Sequence, residues 1–379
     1  MIADIEKPSE RGRAWIEIDL DALAHNVADI RSKAPDDCEI MAIVKADAYG
    51  HGLERVAKRL LNEGVKAFAV ATVIEGIKLR SCAPVEDILV LGYTQPEDAA
   101  LLERNNLAQL VVDGAYAKIL NDTGHKIRAH VAIDTGMHRL GVELSNFDEI
   151  ESIFNSENLT VEGTATHLAS PDSLDESDIA FTNAQLESFY KVVSKLKDKG
   201  YNTGKLHVQS SYGIYNYPEL KCDYIRPGIM LYGVQSQSDE TKVKTELSPV
   251  LSLRAAIAQV RWIKAGESVS YGRLYTADKP TKLATVGIGY ADGIPRQMTN
   301  NGGMSIVNSR KVPIIGRICM DMIILDVTDV ENVEAGGIAT IIGKDGNEEI
   351  RCEEVAAVAG TISNDILSRL GARLPRIYM

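Results

Sequence analysis

The 379-residue sequence predicts an α/β fold in which an N-terminal (β/α)8 TIM barrel is followed by a C-terminal, mostly β domain. Two patterns lead to this prediction. Eight short apolar runs alternate with amphipathic stretches up to about residue 245, and short strands separated by Gly, Asp and Pro follow. An open doubly wound sheet is the main alternative, but no G-x-G-x-x-G motif follows the first strand. We therefore place the domains at 12–245 and 246–379, with a polar, linker-like boundary near 235–248.

The barrel region begins with a predicted helix from Asp19 to Ala34, because apolar residues recur there at helical spacing. A longer helix is predicted over 177–199, where Gly200 provides a stop signal. The predicted strands are 39–45, 66–71, 87–92, 108–113, 127–133, 160–167, 205–210 and 224–232. Amphipathic segments such as LERVAKRLLNEG lie between them and predict the intervening helices.

The C-terminal region has a different pattern. Short strands are predicted for VRWIK, KLATVGIG, VPIIG, MIILDVTDV and IATIIG, which are separated by turn residues. Helical periodicity is weak until residues 352–370. The region therefore predicts a separate β domain rather than further β/α units.

The composition disfavours several classes of protein. The chain has 53 acidic and 41 basic residues, and a net charge of −12 is unlike that of a nucleic-acid binder or of a protein attracted to anionic membranes. The five cysteines are odd in number and form no C-x-x-C pair, so neither a disulfide framework nor a zinc ribbon is expected. The N-terminus has no signal-peptide core, and no run of about 18 apolar residues occurs. We expect a cytoplasmic protein without a metal, nucleic-acid or membrane partner.

Functional groups of a (β/α)8 barrel lie at the C-terminal ends of its strands, where this sequence places Lys45. Lys45 follows the apolar run MAIV, and desolvation there can make a lysine a Schiff-base nucleophile. Gly50 and Gly52 mark a turn where backbone can approach a ligand closely. The alternative is a surface lysine whose ammonium group reaches solvent.

Four more polar residues are predicted at strand ends. Ser211 and the RPG turn at 226–228 can bind a phosphate through backbone N–H groups, or they can form an ordinary loop and turn. His167 is by itself more typical of a structural histidine than of a catalyst or metal ligand. Arg139 and Arg226 are either ion-paired or contact an anionic or aromatic-nitrogen ligand.

Three glycine-containing motifs interrupt the β pattern of the second domain. They are SYG at 270–272, IGYADG at 288–293 and GRICMD at 316–321. Tyr271 and Tyr290 lie beside glycines in the first two motifs, and packed tyrosines next to turn glycines are the simplest interpretation of each motif alone.

Together these motifs resemble the alanine racemase family of pyridoxal-phosphate enzymes, from RAWIEIDL near the start to LPRIY at the end. VKADAYGHG at 44–52 is similar to the family's cofactor-lysine signature, and IDTGMHRLG, RPG, SYG, IGYADG and GRICMD follow in the family's order. The resemblance implies the same barrel and β domain, pyridoxal 5'-phosphate as cofactor, and a head-to-tail homodimer. Each active site would combine one barrel with the partner's β domain.

The resemblance also implies a two-base mechanism. Lys45 would bind the cofactor covalently and act as one acid/base, and Tyr271 from the partner would be the opposite base. Two such groups on opposite faces of the α-carbon directly remove a proton from one face and return one to the other. The cofactor would delocalise the negative charge between these steps.

The remaining roles that the resemblance implies concern cofactor and substrate contacts. Arg226 would face the pyridine nitrogen, His167 would bridge Arg226 and Tyr271, and Arg139 would contact the cofactor's phenolic oxygen and the substrate. The phosphate contacts would be Tyr49, Ser211, Gly228 and Ile229, and the substrate entrance and carboxylate site would be lined by Met320 and Tyr290.

Two positions differ from the usual family pattern. Ala132 occupies a position where many members have a carbamylated lysine that orients the arginine. Asn364 replaces a tyrosine that narrows the substrate pocket, and asparagine is both smaller and able to donate and accept hydrogen bonds. Asn364, FAVAT-x-x-EGI-x-LR and ILVLGYT resemble the serine racemases of the family's vancomycin-resistance branch.

The predicted function is therefore racemisation of alanine and serine, which would supply D-amino acids for peptidoglycan. A strict alanine racemase is the nearest alternative. A non-catalytic pyridoxal-phosphate carrier would lack the β domain and its tyrosine, and a fold-related decarboxylase would use a partner cysteine, for which Cys319 is the only resembling residue in GRICMD.

Overall fold

The computed structural model describes residues 11–83, 87–237, 240–299 and 301–379, and it confirms the barrel followed by a mostly β region. The predicted absence of a signal-peptide core concerns residues 1–13. Residues 1–10 of that segment and residues 238–239 of the predicted linker lie outside the described residues. Among the described residues, no helix is long and apolar enough to cross a membrane.

The elements of the first part alternate between strands and helices. The strands are β1 (Ala14–Ile18), β2 (Glu39–Ile43), β3 (Ala67–Val70), β4 (Asp87–Val90), β5 (Ala108–Val111), β6 (Ile127–Asp134), β7 (Val142–Glu143), β8 (Leu159–Ala165), β9 (Lys205–His207) and β10 (Tyr224–Ile225). The helices are α1 (Leu20–Lys33), α2 (Lys45–Tyr49), α3 (Leu53–Asn62), α4 (Val73–Arg80), α5 (Ala99–Arg104), α6 (Gly114–Asp122), α7 (Phe147–Phe154), α8 (Glu176–Asp198) and α9 (Ser211–Asn216).

The second part is dominated by strands. They are β11 (Leu251–Ile263), β12 (Ser268–Val269), β13 (Tyr275–Thr276), β14 (Thr281–Val286), β15 (Met304–Val307), β16 (Arg310–Pro313), β17 (Ile323–Asp326), β18 (Ile338–Asp345), β19 (Glu348–Ile350) and β20 (Arg376–Tyr378). Two helices, α10 (Cys352–Ala359) and α11 (Ser363–Ser368), occupy the segment predicted to be helical.

Eight parallel strands form the barrel in the order β10-β2-β3-β4-β5-β6-β8-β9. A parallel bridge between Ser210 and Arg226 joins the two ends, and the Arg226 N–H donates to the Gln209 carbonyl at 3.0 Å. Every residue of β3 is buried, as expected for a parallel strand covered on both sides. The closed barrel brings the C-terminal ends of all eight strands to one rim.

Several predicted strands are longer than the observed ones. The segment 224–232 was expected to be one strand, but β10 ends at Ile225 and residues 229–232 form a 3-10 turn. Pro227 explains the difference, because proline has no N–H to donate to a neighbouring strand. Segments 39–45, 160–167 and 205–210 likewise end early, at β2, β8 and β9. Lys45, His167 and Ser211 therefore follow the strands instead of ending them.

The first strand, β1, is not part of the barrel but of the main sheet of the second part. β1 pairs antiparallel with β11 and parallel with β20, in a sheet ordered β16-β15-β18-β11-β1-β20. After β1 the chain enters the barrel through α1, whose N-cap Asp19 accepts the N–H groups of Asp21 and Ala22 at 2.9 Å each. The division at 245/246 stays a prediction.

Candidate active site

A cavity of about 480 Å³ opens at the C-terminal rim of the barrel. The residues lining it include every barrel residue predicted for the site, together with Asn364 from α11. They are Lys45, Tyr49, Arg139, His167, Ser211, Arg226, Gly228, Ile229 and Asn364. The fold thus brings together residues that are more than 300 positions apart in the sequence.

Lys45 begins a turn with an unusual backbone. Residues 46–49 all have left-handed conformations, with φ between 51° and 56°, although none of them is glycine. Left-handed helix costs roughly 1–2 kcal/mol per residue for L-amino acids, so neighbouring groups must hold this turn. Strained backbone of this kind concentrates at functional sites.

The C-terminal segment holds the far end of the turn. Arg376 donates through Nε to the Gly50 carbonyl at 3.0 Å, and the Tyr378 hydroxyl donates to the His51 carbonyl at 3.2 Å. Gly50 has φ +81°, and an added Cβ there would lie 2.3 Å from the Leu367 carbonyl oxygen. Glycine at this position therefore allows both the backbone turn and the close packing of α11.

The surroundings of Lys45 destabilise its charged form. Burial lowers the pKa of its ammonium group, and the positive charge of Arg139 lowers it further, while Glu75 acts in the opposite direction. A lower pKa makes the unprotonated, nucleophilic amine more abundant near neutral pH. The desolvated surroundings expected from the sequence are therefore present.

Arg226 is buried beside three histidines. Its Nη1 donates to His207 Nδ1 at 2.8 Å, and its Nη2 donates to the Thr166 carbonyl at 2.8 Å and lies 3.3 Å from His167 Nδ1. Because arginine only donates, the proton of neutral His207 must lie on Nε2, from which it reaches His130 Nδ1 at 2.8 Å. Arg226 thus begins a directed chain of hydrogen bonds.

The charge states along this chain follow from burial. Desolvation lowers the pKa of His167 to about 3 and of His130 to about 4, and it lowers the pKa of His207 strongly. The pKa of Arg226 is lowered only to about 10. Arg226 therefore carries the positive charge of the chain at neutral pH. Sequence reasoning missed His207 and His130; the position of His207 at the end of β9 was the available signal.

Ser211, Tyr49 and Gly228 form a compact polar corner. The Ser211 Oγ accepts the Gly228 N–H at 2.9 Å, which leaves the hydroxyl proton free to point elsewhere. Burial raises the pKa of Tyr49 to about 12, so its phenol stays protonated. A Cβ at Gly228 would lie 2.9 Å from the Tyr49 oxygen, so only glycine leaves this corner open.

Asn364 supplies a second polar region of the cavity wall. Its Oδ1 and the neighbouring Ser363 Oγ are buried and have no hydrogen-bond partner within the described ranges. The Ser363 N–H donates to the Ser236 carbonyl at 2.9 Å, which ties α11 to another residue of the cavity wall. An unpaired buried oxygen is costly unless a ligand or water donates to it.

Ala132 and Arg139 also line the cavity. Ala132 is buried, and its methyl group offers no polar atom to the arginine. Within the part of the chain that the structure describes, Arg139 has no hydrogen-bond or ion-pair partner, so its guanidinium is available to a ligand. Among all described residues, no group of His, Cys, Asp and Glu side chains is suited to hold a metal ion.

Tyr271, Tyr290 and Met320 do not line this cavity. They lie on the β domain with exposed fractions of 70, 42 and 53 %, and we call these three residues the exposed β-domain face. Hydrogen bonds join their loops: the Tyr290 N–H donates to the Cys319 carbonyl at 3.0 Å, and Ser270 Oγ donates to the Arg317 carbonyl at 2.7 Å. Exposed aromatic and methionine side chains in one region are typical of an interaction surface.

Two family models match the chain almost end to end. The alanine racemase N-terminal domain matches residues 18–236, and the alanine racemase C-terminal domain matches residues 250–378. The matched ranges contain the cavity residues of the barrel and the exposed β-domain face, respectively.

Similar curated proteins are racemases. An amino-acid racemase of Enterococcus faecalis is 44 % identical over 97 % of this chain and 52 % of its own length. A serine/alanine racemase of Enterococcus gallinarum is 38 % identical over 96 % of this chain and 51 % of its own length. An alanine racemase of Carboxydothermus hydrogenoformans is 38 % identical over 96 % of this chain and 99 % of its own length. The chain thus spans about half the length of the two enterococcal proteins.

Similar solved structures have the same fold. Alanine racemase of Clostridium difficile aligns with a TM-score of 0.90 at 33 % identity, covering 97 % of this chain and 96 % of that one. Alanine racemase of Bartonella henselae, solved with covalently bound pyridoxal phosphate, aligns with a TM-score of 0.85 at 30 % identity, covering 97 % of this chain and 100 % of that one. With both domain models matched and the fold shared over nearly its whole length, this chain belongs to the alanine racemase family.

Proposed function

We propose that this protein is a pyridoxal-phosphate-dependent racemase that interconverts the L- and D-forms of alanine and of serine. The observation that carries the proposal is the cavity itself, which combines a desolvated lysine, a polar corner suited to a phosphate and a buried arginine. The proposal includes a supply of D-amino acids for peptidoglycan and a relation to vancomycin resistance, on the resemblance to that branch of the family.

The residues present fit the cofactor. The Lys45 amine would hold its aldehyde carbon, and Ser211, Tyr49 and the backbone at Gly228 and Ile229 would hold its phosphate. The open corner that a Cβ at Gly228 would fill is the structural feature that supports this assignment. When bound, the cofactor withdraws electrons from the substrate α-carbon and makes its proton more acidic.

Lys45 acts as the acid/base on one face of the substrate. The amine would accept the α-proton and later return one, and its lowered pKa increases the share of the unprotonated form that this step needs. Arg226 would face the ring nitrogen as a donor that keeps its own proton, since its pKa is lowered only to about 10. By keeping its proton, Arg226 would leave that nitrogen unprotonated, which would limit electron withdrawal and side reactions such as transamination.

The opposite base in this proposal is Tyr271 of the partner subunit. Tyr271 is largely exposed and lies outside the cavity of its own chain, so a second copy must bring it to the substrate. Tyr290 and Met320 share the exposed β-domain face and would contribute the substrate entrance and carboxylate contacts. The proposal therefore includes a homodimer in which each active site combines residues of both subunits.

Serine activity is supported by the wall near α11. The Asn364 Oδ1 is buried and has no hydrogen-bond partner among the described residues, so a rotation of this side chain would offer a substrate hydroxyl an unused acceptor. A strict alanine racemase remains the alternative, and the two are separated by substrate tests. A pyridoxal-phosphate carrier is disfavoured because the chain contains the β domain, which matches the family model over 250–378.

The direct test measures loss of optical rotation after purified protein and cofactor are mixed with L-alanine or with L-serine. We expect the rotation of both to decay to zero without release of carbon dioxide. Decay with alanine alone would support the strict alanine racemase, and carbon dioxide release would support a decarboxylase. Stable rotation with both amino acids would overturn the proposed function.

A further inference from the structure

The motif FAVAT-x-x-EGI-x-LR contains a capping box whose glutamate makes an additional contact. Thr72 and Glu75 close the N-terminus of α4: the Glu75 N–H donates to Thr72 Oγ1 at 3.2 Å, and Glu75 Oε2 accepts the Thr72 N–H at 3.3 Å. Oε2 also accepts the Ala71 N–H at 2.8 Å. The bonds from the Ala71 and Thr72 N–H groups both end on Oε2, so they leave the other carboxylate oxygen, Oε1, unused.

The other oxygen reaches the turn that carries Lys45. Glu75 Oε1 accepts the N–H of Ala46 at 2.7 Å, and Ala46 directly follows Lys45. Ala46 is also the first of the residues in left-handed conformation. Glu75 thus supplies an acceptor for the first N–H of this left-handed turn.

A second contact from α4 holds the next residue of the turn. Lys78 Nζ bonds to Asp47 Oδ1 at 3.0 Å, and the same oxygen accepts the Leu53 N–H at 3.1 Å. Arg376 and Tyr378 hold the far end of the turn, as described above. Of these groups, Glu75 bonds nearest to Lys45 in the chain, so it has the most direct control over the direction of the lysine side chain.

We propose that Glu75 is a positioning residue that fixes the turn carrying Lys45 and thereby aims its amine into the cavity. The inference rests on the proposed function and extends it to a residue outside the cavity lining. The carboxylate also acts on Lys45 through its charge: it raises the pKa of the lysine, whereas burial and Arg139 lower it. His167 faces the same amine and stays neutral, since its own pKa is lowered to about 3.

The test compares Glu75→Ala with Thr72→Ala in the holoenzyme. Each variant removes one half of the same capping box, so a role confined to capping α4 predicts a loss of thermal stability in both and no difference in kcat between them. We expect Glu75→Ala to lose more stability than Thr72→Ala, because Glu75 also accepts the Ala71 and Ala46 N–H groups. Only Glu75→Ala should lower kcat, by about 10- to 100-fold with a smaller change in KM, because a displaced catalytic group costs on this scale.

A readout independent of turnover is the rate at which hydroxylamine removes the lysine-linked cofactor, followed by absorbance. Glu75→Ala should lose the cofactor several-fold faster than wild type, and Thr72→Ala should match wild type. Glu75→Gln keeps one acceptor oxygen without the charge and should be intermediate, which separates the hydrogen bond from the charge. This variant also keeps the test valid if Glu75→Ala does not fold.

The outcomes are distinguishable. Equal kcat and equal cofactor loss in the Glu75 and Thr72 variants would overturn the positioning role alone. A wild type that carries the cofactor but racemises neither amino acid would overturn the proposed function alone. A wild type that binds no cofactor would overturn both.

Discussion

The barrel cavity and the exposed β-domain face place the same residue type in opposite surroundings. In the cavity, Tyr49 is 9 % exposed, and burial raises the pKa of its phenol to about 12. Tyr271 is 70 % exposed and does not line the cavity of its own chain. Lys45, the first predicted acid/base, thus lies in the cavity, while Tyr271, the second predicted acid/base, lies outside the cavity of its own chain. This difference is the physical argument for a site shared between two copies.

The largest effect on activity is expected in the barrel cavity, at Lys45. Lys45→Ala should abolish racemisation together with the absorbance of the lysine-linked cofactor, because the variant loses both the covalent contact and one acid/base. Loss of an acid/base group alone costs about 10²- to 10⁴-fold in rate. Lys58→Ala on α3 is a suitable control, since Lys58 is exposed and pairs with Glu54 at 2.6 Å. A Lys45→Ala protein that still forms a borohydride-trappable cofactor link would contradict the assignment.

The second prediction tests the exposed half. Tyr271→Phe keeps the ring but removes the proton-carrying hydroxyl, so exchange of the α-proton with deuterated solvent should slow for one enantiomer much more than for the other. NMR of the substrate measures this exchange. Tyr275→Phe is a suitable control, because Tyr275 lies in β13, next to the β12–β13 connection that carries Tyr271. We expect this variant to leave both exchange rates unchanged. Equal, unchanged exchange in Tyr271→Phe would exclude the two-base mechanism.

Mixing the two variants tests the sharing itself. In a heterodimer of Lys45→Ala and Tyr271→Phe, one site has both native residues and the other has neither. We therefore expect partial recovery of activity after subunit exchange, measured by the rate of racemisation. If labelled subunits exchange but activity does not return, the result would contradict an active site shared between two subunits. The exposure of Tyr271 would then have no bearing on catalysis.

The sequence located the barrel half of the site better than its detailed geometry. Lys45 and Ser211 were found because apolar runs mark the ends of barrel strands, which the closed sheet then brings to one rim. The left-handed backbone after Lys45 was not predicted, because ADAY contains no glycine and local propensity opposes that conformation. The second role of Glu75 was also missed, since a capping box is a local pattern and its bond to Ala46 is a tertiary contact.

Long-range placement was the other limit of sequence reasoning. Nothing local indicates that β1 pairs in the second sheet, because its partners β11 and β20 lie more than 200 residues away. His130 and His207 each have the signature of a structural histidine, and their link to Arg226 depends on strands meeting across the barrel. The exposure of Tyr271 depends likewise on how the β12–β13 ribbon is oriented.

The smallest effect on activity is expected at Asn364, a residue of the C-terminal region that lines the barrel cavity of its own chain. Asn364 lies on α11, on the same half of the chain as the exposed β-domain face, yet it lines the cavity beside the barrel residues. Its Oδ1 has no partner within the described part of the chain; once turned towards the cavity, it would accept a bond from the hydroxyl of serine but would gain nothing from the methyl group of alanine. This residue should therefore affect the choice of substrate more than the chemistry.

Two substitutions at Asn364 separate the hydrogen bond from the space. Asn364→Tyr fills the wall and removes the amide, and should lower kcat/KM for L-serine about 10-fold more than for L-alanine, within the roughly 10- to 200-fold range that pocket size alone can discriminate. Asn364→Ala removes the amide but keeps the space, so an equal fall in the serine-to-alanine ratio would assign selectivity to the hydrogen bond, and an unchanged ratio would assign it to size. Steady-state kinetics with both substrates measure the ratio. If wild type uses serine at no more than about one per cent of alanine, and neither variant changes the ratio, Asn364 does not select serine and the strict alanine racemase is the better description.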